Sequence, residues 1–208
     1  MPTSDSLLEA ALAASSAARL PEAQVSPSQG KLLHLLARMQ GARRILEIGT
    51  LGGYSTIWLA RALPPGGHLI TVEADANHAR IARANIARAG LTRMVELRLG
   101  RALDILPKLA NEQQKPFDFI FIDADKVNNA EYFSWSLRLA HQGTAILIDN
   151  VVRGGKVIDE QSTDMSIEGV QRLNKLIANE PRVTATAVQT VGSKGYDGFI
   201  LALVTSDA

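Results

Sequence analysis

The sequence predicts an α/β fold with a doubly wound, mostly parallel sheet and helices on both of its faces. Helical and strand patterns alternate from about residue 26 to residue 148, an order typical of parallel strands joined by crossover helices. The predicted strands at 117–122 and 144–148 are apolar at mostly consecutive positions, as expected when helices cover both faces. The β-prone runs 183–191 and 196–204 are joined by a short Gly-Ser-Lys-Gly connection, so we expect them to pair antiparallel.

Local signals set the limits of the elements in the first half of the chain. Ser26 and Pro27 supply an N-cap and a first-turn proline for a helix that continues to about Gln40. Asp75 is placed to cap a further helix that ends at Gly90. With the apolar pattern, these signals predict helices at 5–19, 26–40, around 57–60 and from 75 to 90, and strands at 44–48, 69–73 and 94–99.

The second half repeats the alternation before the antiparallel pair. Leu103, Leu106 and Leu109 recur at helical spacing. The pattern predicts helices at 101–109, 129–140 and about 166–179 around the strands 117–122 and 144–148.

Length and composition favour one domain over residues 1–208, with residues 1–40 as an N-terminal helical segment that shapes the site. A chain of 208 residues with 46% hydrophobic content is long enough for one compact core. The formal net charge is only +1, so charge gives no footprint for DNA binding.

The absence of cysteine excludes disulfides, thiolate zinc sites and a cysteine nucleophile. It suits a reducing compartment, and we expect a cytoplasmic protein. Residues 1–24 carry acidic and basic side chains and lack the pattern of a signal peptide. No stretch offers about 18 uninterrupted apolar residues, so we expect no membrane association.

The segment from Ile45 to Ser55 and the strand ending at Glu73 predict a nucleoside pocket. A strand that enters a glycine turn and then a helix lets the backbone approach a ligand closely, and an acidic residue after the next strand accepts bonds from ribose hydroxyls. The turn reads E-x-G-x-x-x-G, with neither the third glycine of a dehydrogenase nor a phosphate-binding lysine. A carboxylate without a basic partner favours a ligand that lacks phosphates, and S-adenosylmethionine (SAM) fits that description.

Carboxylates recur where predicted strands end, namely Glu47, Glu73, Asp123 and Asp149. Open α/β sheets bind ligands at that edge, although any single aspartate there could instead cap a helix or sit in a turn. If the fourth and fifth strands are neighbours, Asp123, Asp149 and Asn150 converge on one cation. Oxygen donors without histidine or cysteine select Mg²⁺, Ca²⁺ or Mn²⁺ over zinc.

Three stretches together resemble the metal-dependent class I O-methyltransferases of the caffeoyl-CoA and catechol type, including their small bacterial relatives. They are E-I-G-T-L-G-G-Y-S (47–55), F-I-D-A-D-K (121–126) and I-D-N (148–150). The resemblance runs from about Val25 to the end of the chain. It implies SAM as methyl donor, a Rossmann-like sheet of seven strands with the last one antiparallel, and a homodimer.

Carried over by position, the resemblance implies roles for individual residues. Glu73 would bind the ribose hydroxyls, Ser55 would lie near the methionine carboxylate, and Tyr54 would pack there too. Lys126 matches a general base and Asp125 a position that touches the acceptor. The implied metal ligands are Asp123, Asp149 and Asn150, and the implied cofactor residues are Val25, Glu47, Gly49, Thr50, Tyr54, Ser55, Glu73, Ala102 and Asp123.

The leading hypothesis is a Mg²⁺-dependent O-methyltransferase that acts on a small vicinal-dihydroxy aromatic. Within the same chemistry, the enzyme could methylate a hydroxylated uridine of tRNA, since some small bacterial relatives do so. A different class is a catalytically idle nucleoside-binding module, and a dehydrogenase is disfavoured by the missing third glycine. An RNA contact would use basic residues that are otherwise a solvated helix face, namely Arg80, Arg83, Arg88 and Arg93.

Several polar residues keep two interpretations. Lys126 is otherwise a solvated loop lysine, and Asp125 a loop carboxylate. The residue before Lys126 is not aromatic, unlike in animal catechol enzymes, which argues against a dedicated catecholamine pocket. Arg153 and Lys156 either meet an anionic acceptor or are solvated. His34 is expected to be a core or interface residue.

Overall fold

The computed structural model describes residues 5–112, 115–192 and 195–206. Within them, seven strands belong to one mixed sheet. Most of its strands are parallel, and the last strand of the chain runs antiparallel to both of its neighbours. The predicted fold class is therefore confirmed. Residue contacts divide the chain into two compact units, Met1–Ile105 and Leu106–Ala208, and the expectation of a single domain stays a prediction.

The first unit alternates helices and strands as predicted, and its strands lie in the order β3-β2-β1. All of them are parallel, with Ile48 opposite Val72 and Glu73 opposite Leu99. Its elements are α1 (Ser6–Ala17), α2 (Pro27–Met39), β1 (Arg44–Ile48), α3 (Tyr54–Ala60), β2 (His68–Glu73), α4 (Ala76–Arg88) and β3 (Val95–Leu99), followed by α5 (Ala102–Asn111), which runs on into the second unit.

The predicted helix caps of the first unit are confirmed. The Ser26 hydroxyl accepts a hydrogen bond from the Gln29 N–H, and Pro27 is the first residue of α2. The Asp75 carboxylate accepts from the N–H groups of Asn77 and His78 at the start of α4. Each cap supplies an acceptor for N–H groups that have no partner inside the helix.

In the second unit the strands lie in the order β4-β5-β7-β6. β4 and β5 are parallel, whereas β7 runs antiparallel to both β5 and β6. The elements are β4 (Phe117–Ile122), a 3₁₀ segment here called the lysine turn (Lys126–Asn128), α6 (Asn129–Arg138), β5 (Ala140–Asp149), the Arg153–Ile158 loop, α7 (Met165–Ala178), β6 (Val183–Gly192) and β7 (Gly195–Val204). Residues 193 and 194 of the predicted hairpin connection lie outside the described residues.

Strand β5 begins at Ala140, earlier than the predicted start at residue 144, and α6 ends correspondingly early at Arg138. The register between β4 and β5 is irregular at this end, where Gly143 adopts a φ of 97°. The Thr144 hydroxyl donates to the Phe117 carbonyl and accepts from the His141 N–H. A threonine side chain therefore bridges the irregularity, which an apolar pattern does not reveal.

The core of each unit is built on its strands. In β1 the side chains from Ile45 to Ile48 are buried, and in β4 all but Asp118 are buried. Such strands hold their C-terminal ends in fixed positions because both of their faces are packed. Within the described ranges, no helix is long and apolar enough to cross a membrane.

Candidate active site

The glycine turn between β1 and α3 is bonded to Glu73 at the end of β2. Oxygen Oε2 of Glu73 accepts from the N–H of Thr50 at 3.2 Å and of Leu51 at 2.7 Å. Oxygen Oε1 accepts from the N–H of Asp75 at 2.9 Å, and His78 Nδ1 lies 3.5 Å from the same oxygen. A carboxylate has about four acceptor positions, so Glu73 keeps capacity for ribose hydroxyls while it fixes the turn.

Glu47 is fully buried among hydroxyl groups. Its Oε1 accepts from the Ser55 hydroxyl at 2.6 Å, and its Oε2 accepts from Thr56 at 2.5 Å and from Thr71 at 2.7 Å. The Thr71 hydroxyl is also 2.6 Å from that of Thr50. One carboxylate thus connects β1, β2, α3 and the glycine turn.

The structure brings together four of the predicted cofactor residues, Glu47, Thr50, Ser55 and Glu73. Sequence reasoning missed Thr56 and Thr71, both fully buried. A signal was present, since Thr71 is a polar residue inside the otherwise apolar run of β2. Buried hydroxyls require partners, and the neighbouring carboxylate supplies them.

The other predicted cofactor residues of the first unit lie at or next to the ends of helices and strands. Gly49 follows β1 and donates its N–H to the Val72 carbonyl at 3.0 Å. Tyr54 is the first residue of α3, Ala102 is the first of α5, and Val25 precedes α2. Val25, Tyr54 and Ala102 are all buried, and their cofactor contacts stay predictions.

The N-terminal helix is fastened to the glycine turn. The buried Asn85 amide of α4 donates to the Gly52 carbonyl at 2.9 Å and to the Ala11 carbonyl at 3.3 Å. At its start, Asp5 pairs with Arg61, whose guanidinium holds the pKa of that carboxyl below its usual value. Sequence reasoning did not single out Asn85, because an asparagine inside a helix looks like a surface residue.

The predicted metal ligands lie at the C-terminal ends of β4 and β5, which pair directly. Ile122 lies opposite Ile148, so Asp123 and Asp149 leave adjacent strands, whose backbones lie about 4.8 Å apart. Asp149 is buried, and its Oδ1 accepts from the Asn150 N–H at 2.8 Å. Among the described residues, no three His, Cys, Asp or Glu side chains form a metal-binding group, and the third donor here is an amide. Two carboxylates and an amide form a hard-oxygen donor set that fits a divalent cation.

Lys126 is buried, and its ammonium lies 2.9 Å from Asp123 Oδ1. The lysine turn that carries it is capped by Asp125, whose Oδ1 accepts from the backbone N–H and the side-chain amide of Asn128. Tyr132 of α6 donates its hydroxyl to Asp125 Oδ2. Asp125 therefore stabilises the turn, and its contact with an acceptor stays a prediction.

The loop after Asn150 is held by Asp197 of β7. Its Oδ1 accepts from the N–H groups of Val152 at 3.0 Å and Arg153 at 2.9 Å. The Arg153–Ile158 loop contains two glycines at positive φ, Gly154 and Gly155. A cavity of about 160 Å³ beside it is lined by Arg153, Lys156, Asp164, Ile167 and Asp197. The basic side chains of Arg153 and Lys156 thus share this cavity with the carboxylates of Asp164 and Asp197.

Known proteins resemble this chain over most of its length. The O-methyltransferase family model matches residues 3–203. The chain is 54% identical to a catechol O-methyltransferase of Niastella koreensis over 96% of this chain and 90% of the relative. It superposes on an O-methyltransferase of Bacillus cereus, solved in complex with SAH, with a TM-score of 0.98 and 60% identity, covering 99% of this chain and 93% of that one.

A second solved structure was determined with SAM bound. It is the O-methyltransferase TomG of Streptomyces achromogenes, involved in tomaymycin synthesis, with a TM-score of 0.95 and 52% identity over 98% of this chain and 92% of that one. The matched residues include both the glycine turn and the Asp123–Asn150 region. The chain therefore belongs to the family of SAM-dependent class I O-methyltransferases.

Proposed function

We propose that the enzyme uses a divalent cation, Mg²⁺, to methylate a hydroxyl of a small vicinal-dihydroxy aromatic such as a catechol or a caffeoyl compound. The observation that carries the proposal is the pairing of β4 with β5, which sets Asp123 and Asp149 at adjacent strand ends with Lys126 bonded to Asp123. Aligned carboxylates, an amide and a buried lysine are what this chemistry requires.

Asp123, Asp149 and Asn150 would hold the cation, and with three protein ligands there is room for two vicinal oxygens of the acceptor. A bound cation would lower the pKa of a phenolic hydroxyl from about 10 to about 7, worth roughly 4 kcal/mol at neutral pH. Vicinal hydroxyls chelate, which is why the proposed acceptor has two of them. Ca²⁺ and Mn²⁺ suit the same donors.

The chain's own residues supply orientation and a place for the proton. The acceptor oxygen attacks the methyl carbon of SAM in line with the breaking carbon–sulfur bond, which leaves S-adenosylhomocysteine. The hydroxyl proton passes to Lys126 Nζ, provided that this nitrogen is neutral when the acceptor binds. Asp123, 2.9 Å away, orients Nζ by accepting one of its hydrogen bonds.

In the first unit, Glu73 would bind the ribose hydroxyls of SAM, and Ser55 the methionine end. Both side chains are already held, Glu73 by backbone N–H groups and Ser55 by Glu47. Preorganised groups lose little conformational entropy when the ligand binds. The backbone N–H of the glycine turn therefore contributes to affinity by fixing Glu73.

The acceptor class is supported by relatives in addition to the geometry. The N. koreensis relative is named a catechol O-methyltransferase. In this chain, Arg153 and Lys156 stand on the loop that follows Asn150, and they would favour an acceptor with a carboxylate in addition to its hydroxyls.

The decisive experiment is transfer of labelled methyl from SAM to a panel of catechols and caffeoyl compounds, and to unmodified tRNA, with Mg²⁺ and then with EDTA. We expect label on a vicinal diol, lost with EDTA and restored by added Mg²⁺, with monophenols as the matched acceptor control. Label found only on tRNA would show that the enzyme modifies RNA and would contradict the proposed acceptor. SAM binding without transfer to any acceptor would contradict the proposal and favour an idle nucleoside-binding module.

A further inference from the structure

Helix α7 approaches the backbone of the lysine turn more closely than any side chain would allow. A Cβ placed on Gly169 would lie 2.2 Å from the Lys126 carbonyl oxygen and 2.8 Å from both the Lys126 carbonyl carbon and the Val127 Cα. These neighbours are backbone atoms, so they cannot rotate away as the end of a side chain can. Glycine at position 169 therefore sets the distance between α7 and the turn.

A second contact from α7 fixes the same turn. Arg172 lies one turn of helix after Gly169, and its Nη2 donates to the Val127 carbonyl at 2.7 Å. A hydrogen bond from a guanidinium is stronger than one between neutral groups. Gly169 and Arg172 thus hold two successive peptide groups of the segment that carries the buried Lys126 ammonium.

The same helix also holds the loop that follows the proposed metal ligands. The Gln171 amide donates to the carbonyls of Val157 at 3.0 Å and Asp159 at 2.8 Å. On its other side, the lysine turn is capped by Asp125, which Tyr132 fixes in place. Both loops of the second unit that carry candidate site residues are therefore bonded to α7.

We propose that Gly169 and Arg172 are positioning residues that fix the place of Lys126 Nζ in the candidate site by clamping the backbone of its turn. This inference rests on the proposed function of Lys126. Misplacement of a catalytic group by about 1 Å can cost about a hundredfold in rate, and a methyl group at position 169 must displace the Lys126 carbonyl by a comparable distance. Neither residue has to touch the acceptor or SAM.

The test is a double-mutant cycle between Gly169→Ala and Lys126→Ala, with kcat and the KM for SAM measured on the purified, Mg²⁺-supplied enzyme. We expect Gly169→Ala to lower kcat several-fold, at most to the level of Lys126→Ala, and to change the KM for SAM less than about twofold. In the Lys126→Ala background, the same substitution should lower kcat by less than about twofold, because the residue it positions is already gone.

Arg172 gives a milder pair of variants in case Gly169→Ala does not fold. Arg172→Met removes the bond to Val127, and Arg172→Lys keeps a cation in reach of the same carbonyl. We expect a several-fold loss of kcat for Arg172→Met and recovery of at least half of the wild-type value for Arg172→Lys. Equal losses in both variants would overturn the assigned role of this bond.

Gly30→Ala is the matched control for an overcrowded helical glycine. Its Cβ would lie 2.3 Å from the Trp58 ring in the first unit, so it perturbs packing without touching the lysine turn. The inference is overturned if Gly169→Ala keeps wild-type kcat, or if it slows the enzyme equally with and without Lys126. Failure of the proposed base is a separate result, because Lys126→Ala alone would then retain full activity.

Discussion

The two units of this enzyme hold their candidate site residues in different ways. In the first unit, Glu47 is fully buried and bonded to three hydroxyls, and Glu73 is bonded to three backbone N–H groups. In the second, Lys126 and the Arg153–Ile158 loop depend on backbone contacts from neighbouring elements, and the loop has no buried residue. The difference teaches that the candidate cofactor groups are fixed by buried side-chain bonds, whereas the candidate acceptor groups stand on turns and loops that depend on their neighbours.

The largest effect is expected for Glu47→Ala, which removes a fully buried carboxylate of the first unit. Glu47→Ala leaves the hydroxyls of Ser55 and Thr56 without their acceptor, whereas Thr71 keeps its contact with Thr50. Each buried orphan costs about 1–3 kcal/mol. We expect the free energy of unfolding to fall by about 3–5 kcal/mol and SAM affinity to fall at least tenfold. Thermal unfolding and calorimetric titration with SAM measure both quantities.

Glu9→Ala on α1 is the control, because Glu9 is exposed, and it should leave both quantities nearly unchanged. The comparison between the units fails if Glu47→Ala binds SAM like the wild type. In that case the hydroxyl groups bonded to Glu47 would stabilise the fold without contributing to SAM binding.

The second prediction concerns two residues of the second unit whose loss should lower activity without weakening SAM binding. Asp149→Ala should lower kcat about a hundredfold or more and Lys126→Ala about tenfold, because charge stabilisation at the acceptor oxygen outweighs a single proton acceptor. The affinity of both variants for SAM should stay within a few-fold of wild type. Steady-state kinetics with saturating Mg²⁺ would refute this order if Lys126→Ala proved the more damaging change.

A smaller effect is expected for the cations of the Arg153–Ile158 loop. Arg153→Ala and Lys156→Ala should each raise the KM for a carboxylated catechol several-fold and leave that for plain catechol unchanged, because only the carboxylate meets the lost charge. The melting temperature should hardly move, since surface substitutions stay within about 0.5 kcal/mol. Lys175→Ala on α7 is the matched control. Identical KM changes for both acceptors would remove these residues from acceptor selection.

The sequence was sufficient to predict the fold because its signals were local. Strands β1 and β4 were bounded correctly by their apolar runs, and Ser26 and Asp75 capped the helices that they were expected to cap. The start of β5 was predicted too late because its first residues are not an apolar run. They are held by hydrogen bonds of the Thr144 hydroxyl and by the positive φ of Gly143, which an apolar pattern does not reveal.

The candidate site was less predictable because its supports are distant in sequence. Strand ends marked Glu73, Asp123 and Asp149, but no pattern linked Thr71 to Glu47 or Asn85 to Gly52. Gly169 was not singled out from the sequence, and only its distance to the Lys126 carbonyl shows why glycine suits that position. Close approaches of this kind depend on packing and leave no periodic signal.

The smallest predicted effect compares how the two units respond to acid. His34 of α2 lies against α3, where its Nδ1 is 3.2 Å from the Trp58 carbonyl, and burial lowers its pKa below the ordinary value of 6.5. A base with a lowered pKa in the folded state contributes full stability above that ordinary value, and the contribution declines as the pH falls below it.

Glu180 of the second unit has its pKa lowered by Arg182, so its contribution is present above about pH 4.5 and is lost only in stronger acid. Between pH 7.5 and 5.5, we therefore expect acid to weaken the first unit alone through these groups, with a small fall in the melting temperature. His34→Gln should flatten that dependence while Glu180→Gln leaves it intact, and equal slopes in wild type and His34→Gln would show that acid sensitivity does not distinguish the two units.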